Sequence, residues 1–175
     1  MSDWVLNRLY HTVVNCRDIE ESVAFYKLLG FEIVHDRRDQ VWPEYLAGIF
    51  GMERAQGRAV LVGLPSDPEG PILDLIEWVE PKVVYTDPAD YPVTVARTLC
   101  FATRGVHAAY EALSAKGVRF TCPPTGQAEA GIIAVAFCYD PSGNKVELLE
   151  FAPAYSHAKL DAAHARGTPS ASNSR

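Results

Sequence analysis

The feature that most constrains this chain is an internal repeat. Gly30 and Gly117 lie 87 positions apart, and each closes a stretch that reads strand, then helix, before a further strand begins. In the first copy, residues 9–14 alternate as a half-buried strand and Asp18 stands as a helix N-cap. Ile19, Val23, Phe25, Tyr26 and Leu29 then recur at helical spacing up to Gly30, and the period of two resumes over 31–34. In the second copy, residues 95–102 read as a strand and Val106, Tyr110 and Leu113 mark a helix face, followed by Gly117 and a strand pattern over 118–120. The offset superposes Val14 on Phe101, Val23 on Tyr110 and Tyr26 on Leu113, so the copies stay in register through all three elements.

Further on, Leu73-Asp74-Leu75-Ile76-Glu77-Trp78 resembles Val146-Glu147-Leu148-Leu149-Glu150-Phe151, now at an offset of 73, so the first copy is 14 residues longer. The excess falls within 36–56, where Trp42-Pro43-Glu44-Tyr45-Leu46 and Ile49-Phe50 suggest a short extra helix or an aromatic lid. The predicted class is therefore α+β: tandem βαβββ modules forming a curved mixed sheet around a central cleft. A ferredoxin-like βαββαβ order competes, but it leaves the strand-like segments 57–64 and 131–139 unassigned. The expected layout is a first module over 7–80, a proline-bearing linker over 81–93, a second module over 94–152 and a C-terminal extension over 153–175, its end disordered.

Charge narrows the choice of partner. Sixteen Lys and Arg stand against 22 Asp and Glu, with no basic run beyond Arg37-Arg38, which argues against nucleic acid. Apolar runs are strand-sized and interrupted, and the first residues lack a leader pattern, so no membrane partner and a cytoplasmic location are expected. Cys16, Cys100, Cys122 and Cys138 form no C-x-x-C pair and read as small hydrophobes rather than metal or redox ligands.

Strand parity selects candidate site residues. Period two puts Leu73, Leu75 and Glu77 on one face and Asp74 on the other, as it opposes Glu147 to Val146 and Leu148. The apolar sets belong against the helices, so Asp74 and Glu147 face away from them. The same alternation turns His11 away from Tyr10, Thr12 and Val14. A carboxylate such as Glu147 inside an apolar strand needs a partner, and a metal or Arg97 could serve. Arg37, Arg38, Arg58 and Arg97 could meet an anionic substrate or be solvated rim residues, and His35 could line a site or face solvent.

Two motifs carry a family resemblance. Tyr10-His11-Thr12-Val13-Val14 with Asp18 and Phe25-Tyr26-Lys27-Leu28-Leu29-Gly30-Phe31, together with Asp140-Pro141-Ser142-Gly143-Asn144-Lys145-Val146-Glu147-Leu148, resemble the vicinal oxygen chelate superfamily. That superfamily includes glyoxalase I, methylmalonyl-CoA epimerase, extradiol dioxygenases and the bleomycin and fosfomycin resistance proteins. The resemblance implies a divalent ion (Zn, Ni, Mn, Mg or Fe, or none) held by His11, Asp74 and Glu147. Thr98 stands where familiar members carry a fourth ligand, histidine. It also implies Glu147 as proton carrier in a lyase, isomerase or epimerase that polarises a small oxo or thioester compound toward an enediolate. The alternative is a metal-free protein that sequesters a planar small molecule beside Thr98, Trp42 and Tyr45, as the bleomycin-binding members do. A homodimer is expected on the resemblance and on the open sheet edges.

Overall fold

The computed structural model describes residues 9–83, 98–128 and 131–153. Two compact units result, Met1–Val95 with Asp140–Asn144, and Ala96–Tyr139 with Lys145–Arg175. Most of the expected linker, the Arg97 position and all but the first residue of the expected C-terminal extension lie outside the described residues.

The first unit runs β1 (His11–Cys16), α1 (Ile19–Leu28), β2 (Glu32–Asp36), α2 (Tyr45–Ile49), β3 (Gln56–Gly63) and β4 (Ile72–Glu80). Its sheet has the order β1-β4-β3-β2, with β1 parallel to β4 and the other pairs antiparallel. Alternation decides what each strand buries. Val14 and Cys16, Val60 and Val62, and Leu73 and Leu75 turn to one face and are buried with Ile19, Val23, Phe25 and Tyr26 of α1. Each large apolar side chain so buried contributes roughly 1.5–3 kcal/mol. Asp18 caps α1 by accepting from the backbone N–H of Glu20 at 2.8 Å and of Glu21 at 2.9 Å. Gly30 ends it at φ +91°, where a side chain would be strained.

The second unit runs β5 (Thr98–Ala102), α3 (Val106–Ser114), β6 (Thr125–Gln127), β7 (Ile132–Tyr139) and β8 (Lys145–Phe151). Its sheet order, β5-β8-β7-β6 with β5 parallel to β8, repeats that of the first unit. One expected strand is reduced. Residues 118–120 form only an isolated bridge, Phe120 to Cys138, flanked by backbone bonds from Tyr139 N–H to Arg119 and from Thr121 N–H to Phe137. Pro123 and Pro124 follow at once and have no N–H to continue a ladder, so pairing restarts at β6.

Residues 140–144 form the turn between β7 and β8, yet their hydrogen bonds reach residues of the first unit. Asp140 Oδ1 accepts from the N–H of Ser142 and of Asn144, which fixes the turn. Asp140 Oδ2 accepts from Tyr26 Oη at 3.3 Å, Ser142 Oγ from Arg17 N–H at 2.7 Å, and Asn144 Nδ2 donates to the Asn15 carbonyl at 3.1 Å. Asp140 is 4% exposed, and burial pushes its carboxyl above the usual range despite the bonds from Asn144, Ser142 and Tyr26.

Candidate functional site

Each sheet has a face opposite its helix, and the register lays out the side chains on it. In the first unit Val13 pairs with Asp74, Asp74 with Leu61, and Leu61 with His35, so these four form one row across the sheet. His11, two residues before Val13 on the edge strand, shares that face and is exposed. An irregularity between Ile33 and His35 shifts the register of β2.

Asp74 is the polar centre of this face. It is 8% exposed, and both its oxygens accept from Arg37 Nη2, at 3.2 and 3.3 Å. Burial raises the pKa of its carboxyl, while the charges of Arg37 and then His11 pull it back. Arg37 follows β2, anchored by its N–H to the Ala59 carbonyl, and its Nε is buried without a hydrogen-bond partner.

The extra segment covers the remainder of the same face. Trp42 is buried in a cluster with Ala55, Ala59 and Ile76, with Leu46, Ala47, Met52 and Trp78 packed against it. Trp42 stacks on Phe50 at 6.1 Å and meets Trp78 edge-on at 5.5 Å. Its indole lies so close to Gly57 that a Cβ there would stand 2.8 Å from Cη2. Gln56 clamps the segment by donating to the Trp42 carbonyl and accepting its N–H. Tyr45, by contrast, is 65% exposed on α2.

In the second unit Thr98 pairs with Lys145, and Cys100 with Glu147, which in turn pairs with Phe137. Thr98, Cys100 and Ala102 are the exposed positions of β5. Although the residue as a whole is exposed, partial desolvation and then the charge of the neighbouring Glu147 carboxylate push the Cys100 thiol up to about 11.

The sequence-selected residues thus fall into two sets. His11 and Asp74 share a face of the first unit, and Thr98 and Glu147 share a face of the second. Two partners went unread: Arg37, which neutralises Asp74, and Cys100, which meets Glu147. The first gives no local signal, since 37 residues separate the pair. Cys100 was legible in principle, because it occupies the repeat position of Val13 beside the carboxylate strand.

The implied divalent ion does not fit these side chains as they stand. Both Asp74 oxygens face a guanidinium, which repels a cation, and Thr98 offers only a neutral hydroxyl. Among the described residues no three His, Cys, Asp or Glu side chains are grouped to hold a metal.

A four-stranded mixed sheet built from βαβββ and repeated along one chain, with a polar centre opposite the helix, defines a tandem βαβββ protein. The model of the Glyoxalase/Bleomycin resistance protein/Dioxygenase superfamily matches residues 8–148, and the chain belongs to that superfamily. Among solved structures, a glyoxalase family protein from Bacillus cereus is similar at TM-score 0.71 and 13% identity, with 87% of this chain and 99% of that one covered. A member of the same superfamily from Sphaerobacter thermophilus matches at TM-score 0.53 and 25% identity, covering 83% and 98%. A glyoxalase family protein from Enterococcus faecalis matches at 0.58 and 20%, covering 82% and 97%. No curated protein matches the chain. No helix among the described residues is long and apolar enough to cross a membrane.

Proposed function

We propose that this chain binds a small molecule on the face of the first sheet around Asp74 without a resident metal, in the manner of the sequestering members of its superfamily. The observation that carries the reading is the Arg37–Asp74 pair: the charge that a cation would balance is already balanced by a side chain. Val13 and Leu61 flank Asp74 as apolar contacts, and His11 and His35 supply hydrogen-bonding edges. Protein purified without added ions should carry far less than one metal per chain, and a chelator should leave its melting temperature unchanged. One tightly held ion per chain, lost on Glu147→Gln, overturns the reading.

A second reading, a metal-dependent lyase, isomerase or epimerase with His11, Asp74 and Glu147 as ligands and Glu147 as proton carrier, is favoured by one observation. His11 lies close enough to Asp74 on the same face to shift its ionisation. Under that reading Thr98→His supplies a nitrogen ligand and tightens Zn²⁺ or Ni²⁺ at least about tenfold by calorimetry. Under the first reading neither protein binds either ion. The assembly we propose is a homodimer, to be checked by sedimentation.

A further inference from the structure

The face that holds Asp74 is open over only part of its area. Trp42, Leu46, Ala47 and Met52 pack with Ala59, Ile76 and Trp78. What remains is Val13, Leu61 and His35 in the Asp74 row, with His11 beside them and Arg37 across it. Neighbouring strands lie about 4.8 Å apart, so a row across four strands is roughly 14 Å wide. Such a patch is of the size of one ring and its substituents.

Arg37 is the fixed positive charge of this patch, and its pairing is incomplete. A single nitrogen, Nη2, serves both Asp74 oxygens end-on, while Nε is buried with no acceptor. A guanidinium is best matched by a planar two-oxygen group lying along its Nε–Nη2 edge, which gives two parallel bonds. Asp74 does not take that edge. A buried N–H without an acceptor is destabilising, so an acceptor brought to that edge relieves a cost the free protein carries. Nε is covered in the free protein, so the guanidinium must turn to present that edge, and its side chain, 33% exposed, is not enclosed.

We propose that the ligand of this face is a small planar carboxylate, its two oxygens received side-on by Nε and Nη2 of Arg37 and its ring laid over Leu61 and Val13. Asp74 then serves to hold the guanidinium on the sheet. The inference rests on the metal-free reading above and names its ligand class.

The test uses the full chain and three probes of similar reach: benzoate, the neutral isostere benzamide, and inorganic phosphate, which is tetrahedral. In a nitrogen-15 NMR titration benzoate should saturate and move the Arg37 Nε–H resonance, with benzamide and phosphate at least about tenfold weaker. Arg37→Lys, which keeps the charge but loses the fork, should weaken benzoate by at least about tenfold while circular dichroism stays that of the wild type. Should that variant misfold, Arg37→Gln, which removes the charge and the fork together, must show the same loss. Equal binding of benzoate and benzamide overturns the carboxylate inference and leaves the small-molecule reading standing, and phosphate binding as tightly as benzoate overturns the planar class. No saturable response to benzoate, or undiminished binding in the variants, overturns it as well. Failure of the metal-free reading shows separately, as a stoichiometric ion in the purified protein.

Discussion

The carboxylate of Glu77, on β4, accepts the backbone N–H of Ile19 at the start of α1 at 3.1 Å. The second unit repeats this contact: Glu150 on β8 accepts the N–H of Val106 at the start of α3 at 3.0 Å. Helix starts expose unpaired N–H groups and partial positive charge, and in both units the sheet answers with an acid. In the second unit it does so alone, because Gly105 at the head of α3 offers no side chain to cap it.

Glu150→Ala should therefore destabilise more than Asp18→Ala, since α1 keeps Glu77 when Asp18 is lost, whereas α3 keeps nothing equivalent. Asp18→Ala should cost about 1 kcal/mol, and Glu150→Ala should lower the urea midpoint further, both read by urea unfolding. Equal costs would mean that the two acids do not play the same part.

Removing one partner of the Arg37–Asp74 pair should cost more than removing both. Arg37→Ala leaves a buried carboxylate without its cation and should destabilise by about 1–3 kcal/mol, discounted because Arg37 is partly exposed. In Arg37→Ala with Asp74→Ala part of that loss returns. A double-mutant cycle that closes without a coupling term of at least about 0.5 kcal/mol contradicts the pairing.

Gly57→Ala tests the covering segment. The added methyl meets Trp42 Cη2 at 2.8 Å and the Glu77 carbonyl at 3.1 Å, so the indole must move. A loss of about 1–3 kcal/mol and a red shift of tryptophan emission are expected, since Trp42 and Trp78 would open to water together.

Asp140 gives a pH dependence of definite sign. Its folded pKa is raised by burial, so the protonated form favours folding. That contribution is complete below about pH 4, the unfolded carboxylate range, and is lost as pH rises through the folded value. Asp140→Asn keeps the oxygen that fixes the turn and removes the ionisation. The variant should therefore gain on the wild type in urea unfolding as pH goes from about 4 to about 7. A difference that stays constant or shrinks over that range contradicts the assignment.

Cys100 should alkylate slowly near neutral pH, because partial desolvation and the Glu147 charge hold its thiol at about 11. Glu147→Gln removes the charge and should speed iodoacetamide modification of Cys100 several-fold, with peptide mapping separating it from Cys122, which is exposed as well. An unchanged rate means the carboxylate does not reach the thiol.

Much of this architecture was legible because repetition and parity are local in sequence. The offsets that align Val14 with Phe101 and Asp74 with Glu147 became two sheets of the same strand order, and parity alone placed Asp74 opposite Leu73 and Leu75. The short helix expected in the extra segment is α2. What periodicity does not encode is which distant partner completes a polar group. Arg37 reads as a rim cation until folding brings it to Asp74, and Trp42 reads as part of an aromatic lid or a cleft wall until Gly57 supplies the only kind of residue flat enough to lie under it, in a buried cluster. The strand expected over 118–120 shrank because the following prolines cannot donate, a rule present in the sequence but outweighed there by the repeat.

The turn at 140–144 has a consequence for synthesis. The first unit is not contiguous along the chain: the oxygens that meet Tyr26 Oη and Arg17 N–H belong to residues made 114 and 125 positions later. A nascent polypeptide carrying all of β1 to β4 outside the ribosome still lacks them. Its N-terminal half reaches its final set of bonds only when Asn144 has cleared the exit tunnel, so the order of translation and the order of completion are different in this protein.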